Sequence, residues 1–588
     1  MPRNRMTIMV GGEAGQGVES GGAGFAKALA RGGLHVFGLP DFMSRIRGGH
    51  NFYLVRVAEE PLWAHEDDVH LLLAFNRDTV DLHLHEVVPG GGIIHDSAVK
   101  VDPALLAKRG VQDFEMPLVK IAEEIGGHRI MMNTAAIGAT AGITGYEFER
   151  VADIILTNFK RKGQEIAENN LKVARHAYDL AAERYSGSFD WKLAQVPGAP
   201  QRMLINGNQA LAMGALAAGC RFISTYPMTP ASSITEWLAA HAAKFGIVQK
   251  QVEDETAALL MAIGAAHAGV RAMTATSGGG FCLMVEALGL AGMTETPVVI
   301  VDAQRGGPST GLPTRTEQSD LEFVLHASHG EFPRLVLAPG TIEQCFSSGF
   351  RAFNLAEKYQ TPVIMLTDLH LAFATRTIDK DALDFRSLKI DRGELVPWEA
   401  LNGQADGYQR HRVTESGISP RVLPGSEQAI YITTGDEHTS YGFITEDANE
   451  RVQQMDKRMR KLEVAKRDME PPIWYGPEEA EVTLVGWGSS YGALREATDL
   501  LNAAGVKTNF LQFLDIFPLD EALVTAELGR IRRMVVVEQN YTGQLANVLR
   551  VYSGRKADAL LTKYDGRAFS ARWVAERVKA TVGVTVHA

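Results

Sequence analysis

The sequence predicts a multidomain α/β protein, and three observations lead there. Short apolar, strand-like runs alternate with helix-patterned stretches along most of the chain, the signature of parallel sheets covered by helices. The length of 588 residues exceeds what one core supports; at about 150 residues per domain it gives roughly four. A stretch without periodicity, 186–201, and a polar, less regular one, 376–475, divide the alternation into blocks.

The first block, 1–190, opens on the apolar run Met6 to Val10, read as a buried strand, followed by glycines and a helix-like run from Ala23 to Ala30. A second helix is expected over 163–185, where Ile166, Ala174, Ala177, Tyr178 and Ala181 recur at helical spacing. Ser186 to Gln201 reads as an inter-domain linker. The second block, 202–375, carries β-rich runs at 221–227, 271–277, 297–304 and 361–369 between helical patterns. Residues 376–477 read as a polar connecting region. Within it Arg451 to Met469 mixes charges around Met455, Met459 and Leu462, which share one helical face, so a solvated helix docked by that stripe is expected. The last block, 478–588, returns to α/β, with strands in 481–490 and 532–540 and a helix from Ala493 to Ala504 between them.

A net charge of −11 argues against a general nucleic-acid or anionic-membrane binder. The three cysteines, Cys220, Cys282 and Cys345, form no CxxC pair, so neither a disulfide framework nor an iron–sulfur cluster is expected on this chain, and all three read as buried thiols. The basic start, Met1 to Arg5, meets too short an apolar run for a signal peptide or a membrane span, so a cytoplasmic location is expected.

Several loops carry candidate chemistry. Gly11-Gly12-Glu13-Ala14-Gly15-Gln16-Gly17 sits between a strand and a helix, where backbone N–H groups can meet a phosphate; a plain structural turn is the alternative. Its order is GxxGxG, not the dinucleotide GxGxxG, and no acidic residue clearly ends the strand near Val36, so NAD is disfavoured. Ser44-Arg45-Ile46-Arg47-Gly48-Gly49 puts two guanidinium groups in a glycine turn, either a solvated loop or a polyphosphate contact such as coenzyme A. In Tyr226-Pro227-Met228-Thr229-Pro230 two prolines stiffen the backbone around a hydroxyl that can hold a carboxylate, or the loop only changes chain direction. Gln251-Val252-Glu253-Asp254-Glu255 opens an alanine-rich helix, Thr256 to Ala268. Acids there suit the helix dipole, and one entering a dry pocket has a raised pKa suited to sharing a proton with a ring nitrogen. Thr276-Ser277-Gly278-Gly279-Gly280 and the long turn from Asp302 to Arg315, with Arg305 and Arg315, complete a set of sheet-edge loops fit for an anionic substrate.

These segments carry a family resemblance. Tyr226 to Pro230, the acidic helix start at Glu255, Thr276 to Gly279 and Gly311-Leu312-Pro313-Thr314-Arg315-Thr316-Glu317-Gln318 together resemble the α subunit of 2-oxoacid:ferredoxin oxidoreductases. So do Val537 to Gln544 and Tyr564-Asp565-Gly566-Arg567, while the loop from Gly11 to Gly17 and Arg47-Gly48-Gly49 resemble the γ subunit, here fused ahead of α. The resemblance implies a γ-type, coenzyme A-associated domain over 1–190 and a thiamine-enzyme pyrimidine-binding domain over 202–375. Beyond the connecting region, 478–588 is expected as a transketolase C-terminal-like domain. It implies that Glu255, favoured over Glu253, hydrogen-bonds the aminopyrimidine ring of thiamine diphosphate. Tyr226, Pro227, Thr276, Ser277 and Gly278 line that cofactor. Thr229 and Arg305 hold the 1-carboxylate, and Arg315 is a second cation for a distal carboxylate. Gly12, Gly15, Gly17, Ser44, Arg45 and Arg47 are the expected coenzyme A contacts.

The family's Gly-Asp-Gly segment for Mg²⁺ and diphosphate is absent from this chain, as are cluster cysteines. Mg²⁺ and a [4Fe–4S] cluster are therefore expected on a β subunit, in an α2β2 assembly that passes electrons to ferredoxin. The implied reaction is coenzyme A-dependent oxidative decarboxylation of a 2-oxoacid, with the reverse carboxylation of a reductive tricarboxylic acid cycle. 2-Oxoglutarate is the leading substrate, with pyruvate and branched-chain 2-oxoacids behind it. The rivals are a thiamine carboligase or decarboxylase without electron transfer, and a non-catalytic nucleotide- or coenzyme A-binding regulatory subunit.

Overall fold

The computed structural model describes residues 3–45, 48–185, 187–401, 407–425 and 427–582, and the chain divides into two compact units. The first comprises 1–205, 373–382 and 570–572; the second comprises 206–372, 383–569 and 573–588.

The first unit is built on an eight-stranded sheet. Its strands lie in the order 112–116, 87–96, 69–74, 6–13, 50–58, 35–41, 375–379, 202–206. The apolar run expected at Met6 to Val10 becomes the strand Met6–Glu13, antiparallel to His50–Ala58 and parallel to Val69–Ala74. It is mostly apolar because both faces are covered, by the helices Val18–Arg31, Met132–Thr144 and Gln164–Tyr185 on one side and a smaller cluster around Leu72 and Ile93 on the other. Gly138 and Gly142 let the last two helices close on each other, since a Cβ at Gly138 would lie 2.2 Å from the Ala174 carbonyl oxygen. The segment read as a linker is instead packed: from Gly187 on it buries Phe189 and Leu193 in this core, and Phe189 meets Phe114 edge-to-face. Ser186 lies outside the described residues.

The second unit holds a seven-stranded sheet in the order 515–517, 335–337, 362–368, 298–304, 272–276, 222–225, 248–251. All pairings are parallel except that of 335–337 with 515–517. A five-stranded sheet follows, 473–475, 508–513, 482–487, 534–538, 559–562, and one apolar core runs through both. The runs expected as strands at 221–227, 271–277, 297–304, 361–369, 481–490 and 532–540 each contain one, because β-branched stretches buried on both faces end at glycine or polar loops. Among the described residues no helix is long and apolar enough to cross a membrane.

The helix Ala448–Ala465 reverses the expected orientation. Its buried residues are Gln454, Lys457, Arg458 and Lys461, whereas Met455, Met459 and Leu462 are half-buried. The cause is a carboxylate on another segment. Glu295 is fully buried, and its two oxygens take ammonium groups from Lys457 and Lys461, each at 2.5 Å. His411 meets Glu295 at 3.0 Å, and its ring lies tilted against that of His438, 4.0 Å between centroids. Burial works to raise the Glu295 pKa, but Lys457, Lys461 and His411 overcome it and hold the carboxyl well below its ordinary range. The thiols also differ from expectation: Cys220 and Cys345 are buried, Cys282 is exposed.

Breaking this cluster leaves buried charge unpaired. Glu295→Gln should lower unfolding free energy by about 3–5 kcal/mol, seen as a fall in the urea midpoint of the second unit; an unchanged midpoint would mean the lysines find other partners.

Candidate active site

The helix Glu255–His267 starts where the strand Val248–Gln251 ends, and its first residues sort by environment. Glu253 is exposed. Asp254 caps the helix, its carboxylate accepting the Ala257 N–H at 2.7 Å. Glu255 is buried, 2% exposed, and its Oε1 has no hydrogen-bond partner among the described residues. Burial raises its pKa, and Asp254 beside it adds to the rise. A buried carboxyl with a raised pKa, whose Oε1 has no partner among the described residues, is the group a ring nitrogen would satisfy, so the site fits an aminopyrimidine.

The glycine turn at 278–280 makes room for that carboxyl. A Cβ on Gly280 would stand 2.1 Å from the Thr276 hydroxyl and 2.5 Å from Glu255 Oε1. Thr276 also reaches Met228 Sδ at 3.8 Å, so the loop Tyr226 to Pro230 lies beside the same turn. Ser277 is buried with its hydroxyl unpartnered among the described residues; Gly278 is half-buried, and Tyr226 and Pro227 are exposed.

Arg305 donates to the Thr229 carbonyl oxygen at 2.9 Å, which brings together the two residues expected to hold a carboxylate. Burial lowers the Arg305 pKa without removing its charge. Arg315 stands further along the same loop. The loop folds back on itself: the Gly306 N–H donates to the Arg315 carbonyl at 3.1 Å and the Leu312 N–H to the Gly306 carbonyl at 2.7 Å. Gly311 is required at its tip, with φ at 51° and no space for a Cβ against Gly306. The returning arm is fastened to the five-stranded layer. The Gln318 N–H donates to the Gln539 carbonyl at 2.7 Å, and Asn540 donates to the Gln318 carbonyl at 2.9 Å. These contacts account for the Glu317-Gln318 and Glu538-Gln539-Asn540 segments, whose locking role spacing alone does not reveal.

Three large apolar side chains are exposed on the helix that Glu255 opens and on its neighbour. Leu260, Met261 and Leu283 are 40%, 39% and 55% exposed on adjoining helices, which Thr256 joins by donating to the Leu283 carbonyl at 2.8 Å.

In the first unit the glycines divide. Gly11 and Gly12 continue the strand, and the turn itself spans Glu13 to Gly17, where the Glu13 N–H donates to Gln16 Oε1 at 2.7 Å. Gly15 and Gly17 adopt left-handed backbone, and Gly17 caps the helix Val18–Arg31. The register pairs Glu13 with His50, so the segment with Ser44 and Arg45, both exposed, leads in beside the turn. Arg47 lies outside the described residues.

Known proteins show the same layout. Residues 7–180 match the family described as pyruvate ferredoxin/flavodoxin oxidoreductase, 213–457 its thiamine diphosphate-binding domain, and 476–560 the transketolase C-terminal domain. The 2-oxoacid:ferredoxin oxidoreductase subunit alpha of Saccharolobus solfataricus is 33% identical, over 98% of this chain and 98% of that protein. The chain belongs to the 2-oxoacid:ferredoxin oxidoreductase α subunits. Its γ-like domain is fused at the N-terminus. The 2-oxoglutarate oxidoreductase subunit KorA of Mycobacterium tuberculosis is 30% identical over 93% of this α subunit and 87% of its own length. A solved 2-oxoglutarate:ferredoxin oxidoreductase from Magnetococcus marinus, with 2-oxoglutarate, coenzyme A and succinyl-CoA bound, superposes with a TM-score of 0.91 at 33% identity, covering 99% of this chain and 100% of that one. As an α subunit, the chain acts with a β subunit on a 2-oxoacid, with ferredoxin as acceptor.

Gly280→Ala should force the Glu255 carboxyl aside. The expected result is a thermal midpoint lowered by overpacking of about 1–3 kcal/mol together with weakened thiamine diphosphate binding in a fluorescence titration of the α–β complex. Unchanged cofactor affinity would separate the turn from the site.

Proposed function

We propose that this α subunit, with its β partner, converts 2-oxoglutarate and coenzyme A to succinyl-CoA, CO2 and a proton while passing two electrons to ferredoxin, and runs the reverse carboxylation at the expense of reduced ferredoxin. The observation that carries the reading is the buried Oε1 of Glu255, without a hydrogen-bond partner among the described residues, in the same group of sheet-edge loops as the Arg305–Thr229 pair. Bound thiamine diphosphate supplies the electron sink for cleaving the bond between carboxylate and keto carbon. Glu255 holds a proton against the ring, favoured by its dry surroundings. Tyr226, Pro227, Thr276, Ser277 and Gly278 form the walls on this side. Arg305 and the Thr229 hydroxyl orient the 1-carboxylate, and Arg315 answers a distal carboxylate, which favours a dicarboxylic 2-oxoacid over pyruvate or branched-chain acids. The similarity to the Magnetococcus marinus enzyme supports the same choice.

Coenzyme A is assigned to the turn with Gly12, Gly15 and Gly17 and to Ser44, Arg45 and Arg47, the last beyond the described residues. The β subunit would carry the diphosphate, Mg²⁺ and the [4Fe–4S] cluster, covering Leu260, Met261 and Leu283 in an α2β2 assembly.

With the α–β complex prepared anaerobically, viologen reduction should require coenzyme A and 2-oxoglutarate, and Arg315→Met should raise KM for 2-oxoglutarate well above any change for pyruvate. Glu255→Gln should abolish turnover while the far-ultraviolet spectrum and melting temperature hold. Full activity in that variant, or equal turnover of all three acids, would defeat the assignment.

A further inference from the structure

The strand Val298–Gln304 contains one carboxylate among its apolar residues, Asp302, which is completely buried. Both of its oxygens lack a hydrogen-bond partner among the described residues. Its register neighbour is Thr276, at the end of the adjacent strand and just before the turn 277–280. Gln304, two residues on and so on the same sheet face, accepts the Asp320 N–H at 3.0 Å. That bond fixes the start of the Asp320 side chain over the same strand. The Asp320 carboxylate then packs against Gly278, with Oδ2 and Oδ1 at 2.3 and 2.9 Å from where a Cβ would stand. Its Oδ2 is likewise shut off from solvent without a partner.

Three carboxyl oxygens from two residues are therefore buried together unsatisfied, a condition native interiors avoid unless an ion or water completes it. The groups facing them do not help. Glu317 on the same loop is acidic, Cys282 in the first turn of the helix Gly278–Met293 is neutral, and Glu255 lies beyond Gly280. Both carboxyls feel burial first and an acidic neighbour second, which pushes Asp320 up to about 7 and Asp302 well above the ordinary range.

We infer that Asp302 and Asp320 hold a hard divalent cation, bound through oxygen, beneath the N-terminal turn of the helix Gly278–Met293. All-oxygen ligation by two carboxylates is the donor set of Mg²⁺ or Ca²⁺, not of a thiolate- or imidazole-seeking metal. The ion would neutralise the pair and tie the returning end of the Arg305–Arg315 loop to the strand it left. It is separate from the Mg²⁺ expected on the β subunit, and it does not depend on which 2-oxoacid is the substrate.

Cys282 supplies a reporter that needs no activity. Its thiol is pushed up first by burial and then by Asp320 and Asp302, so a cation on the pair makes it more acidic and more reactive. The full α chain, stripped with chelator, would be titrated with MgCl₂, CaCl₂ and KCl. Melting temperature and the rate of Cys282 alkylation by iodoacetamide would be followed, with peptide mass analysis to exclude Cys220 and Cys345. A saturable rise in melting temperature and a several-fold faster alkylation are expected with Mg²⁺ or Ca²⁺ and not with K⁺. Because the ion competes with protons, both effects should strengthen from about pH 6 to about pH 8. Both should vanish in Asp302→Asn, and in Asp320→Asn, whose change lies on a loop and keeps the test open if the first variant does not fold. No response to either divalent ion, or an equal response in a folded variant, overturns the inference and leaves protons and water in the site.

Discussion

The second unit is organised around one carboxyl kept out of water with an oxygen that has no partner among the described residues. Glu255 begins a helix, where a carboxylate is ordinarily welcome and solvated. Here it is closed in by Thr276 and the glycines at 278–280. Everything around it follows from that enclosure. The strands must be apolar on both faces to carry helices on each side, the turns after them must be glycine-rich to let the helices start close, and the cations must come in on longer loops. The returning arm of the Arg305–Arg315 loop is bonded to Gln539 and Asn540 in the neighbouring sheet, so the shape of that loop depends on a second layer.

Much of this was legible in the sequence where a local signal matched a local cause. Runs such as 297–304 and 532–540 are β-branched, short and bounded by loop residues, and each contains a strand. Thr229 and Arg305 stand far apart in sequence, yet each sits just past the end of a parallel strand, and such ends converge by topology alone. Glu255 was favoured over Glu253 by counting back from Gly264-Ala265, and of the two only Glu255 is buried.

What remained hidden depends on partners distant along the chain. The helix at 448–465 was read as docking by its methionines, but a buried Glu295 more than 150 residues away draws in its lysines instead, and no window of sequence contains both. The stretch after Ser186 has linker composition, yet Phe189 and Leu193 find a pocket against Phe114 that only the assembled sheet provides. Cys282 was taken as buried from the habit of its residue type, whereas it stands at the start of an apolar helix whose outer side is open. Asp302 did leave a trace, a single acid inside an otherwise apolar strand, and such an interruption is worth following.

The first unit is assembled from three separate stretches of chain, and this orders events during synthesis. The strand His35–Asp41 pairs with 375–379, and Asp67 and Asp68 bond Ser570 and Arg572. A ribosome that has delivered only the first 205 residues has made most of this sheet but left His35–Asp41 as an open edge, exposed to pairing with other chains until its neighbour emerges. The first unit thus reaches its final form only after residues 570–572 have emerged, long after its own sheet has begun to form.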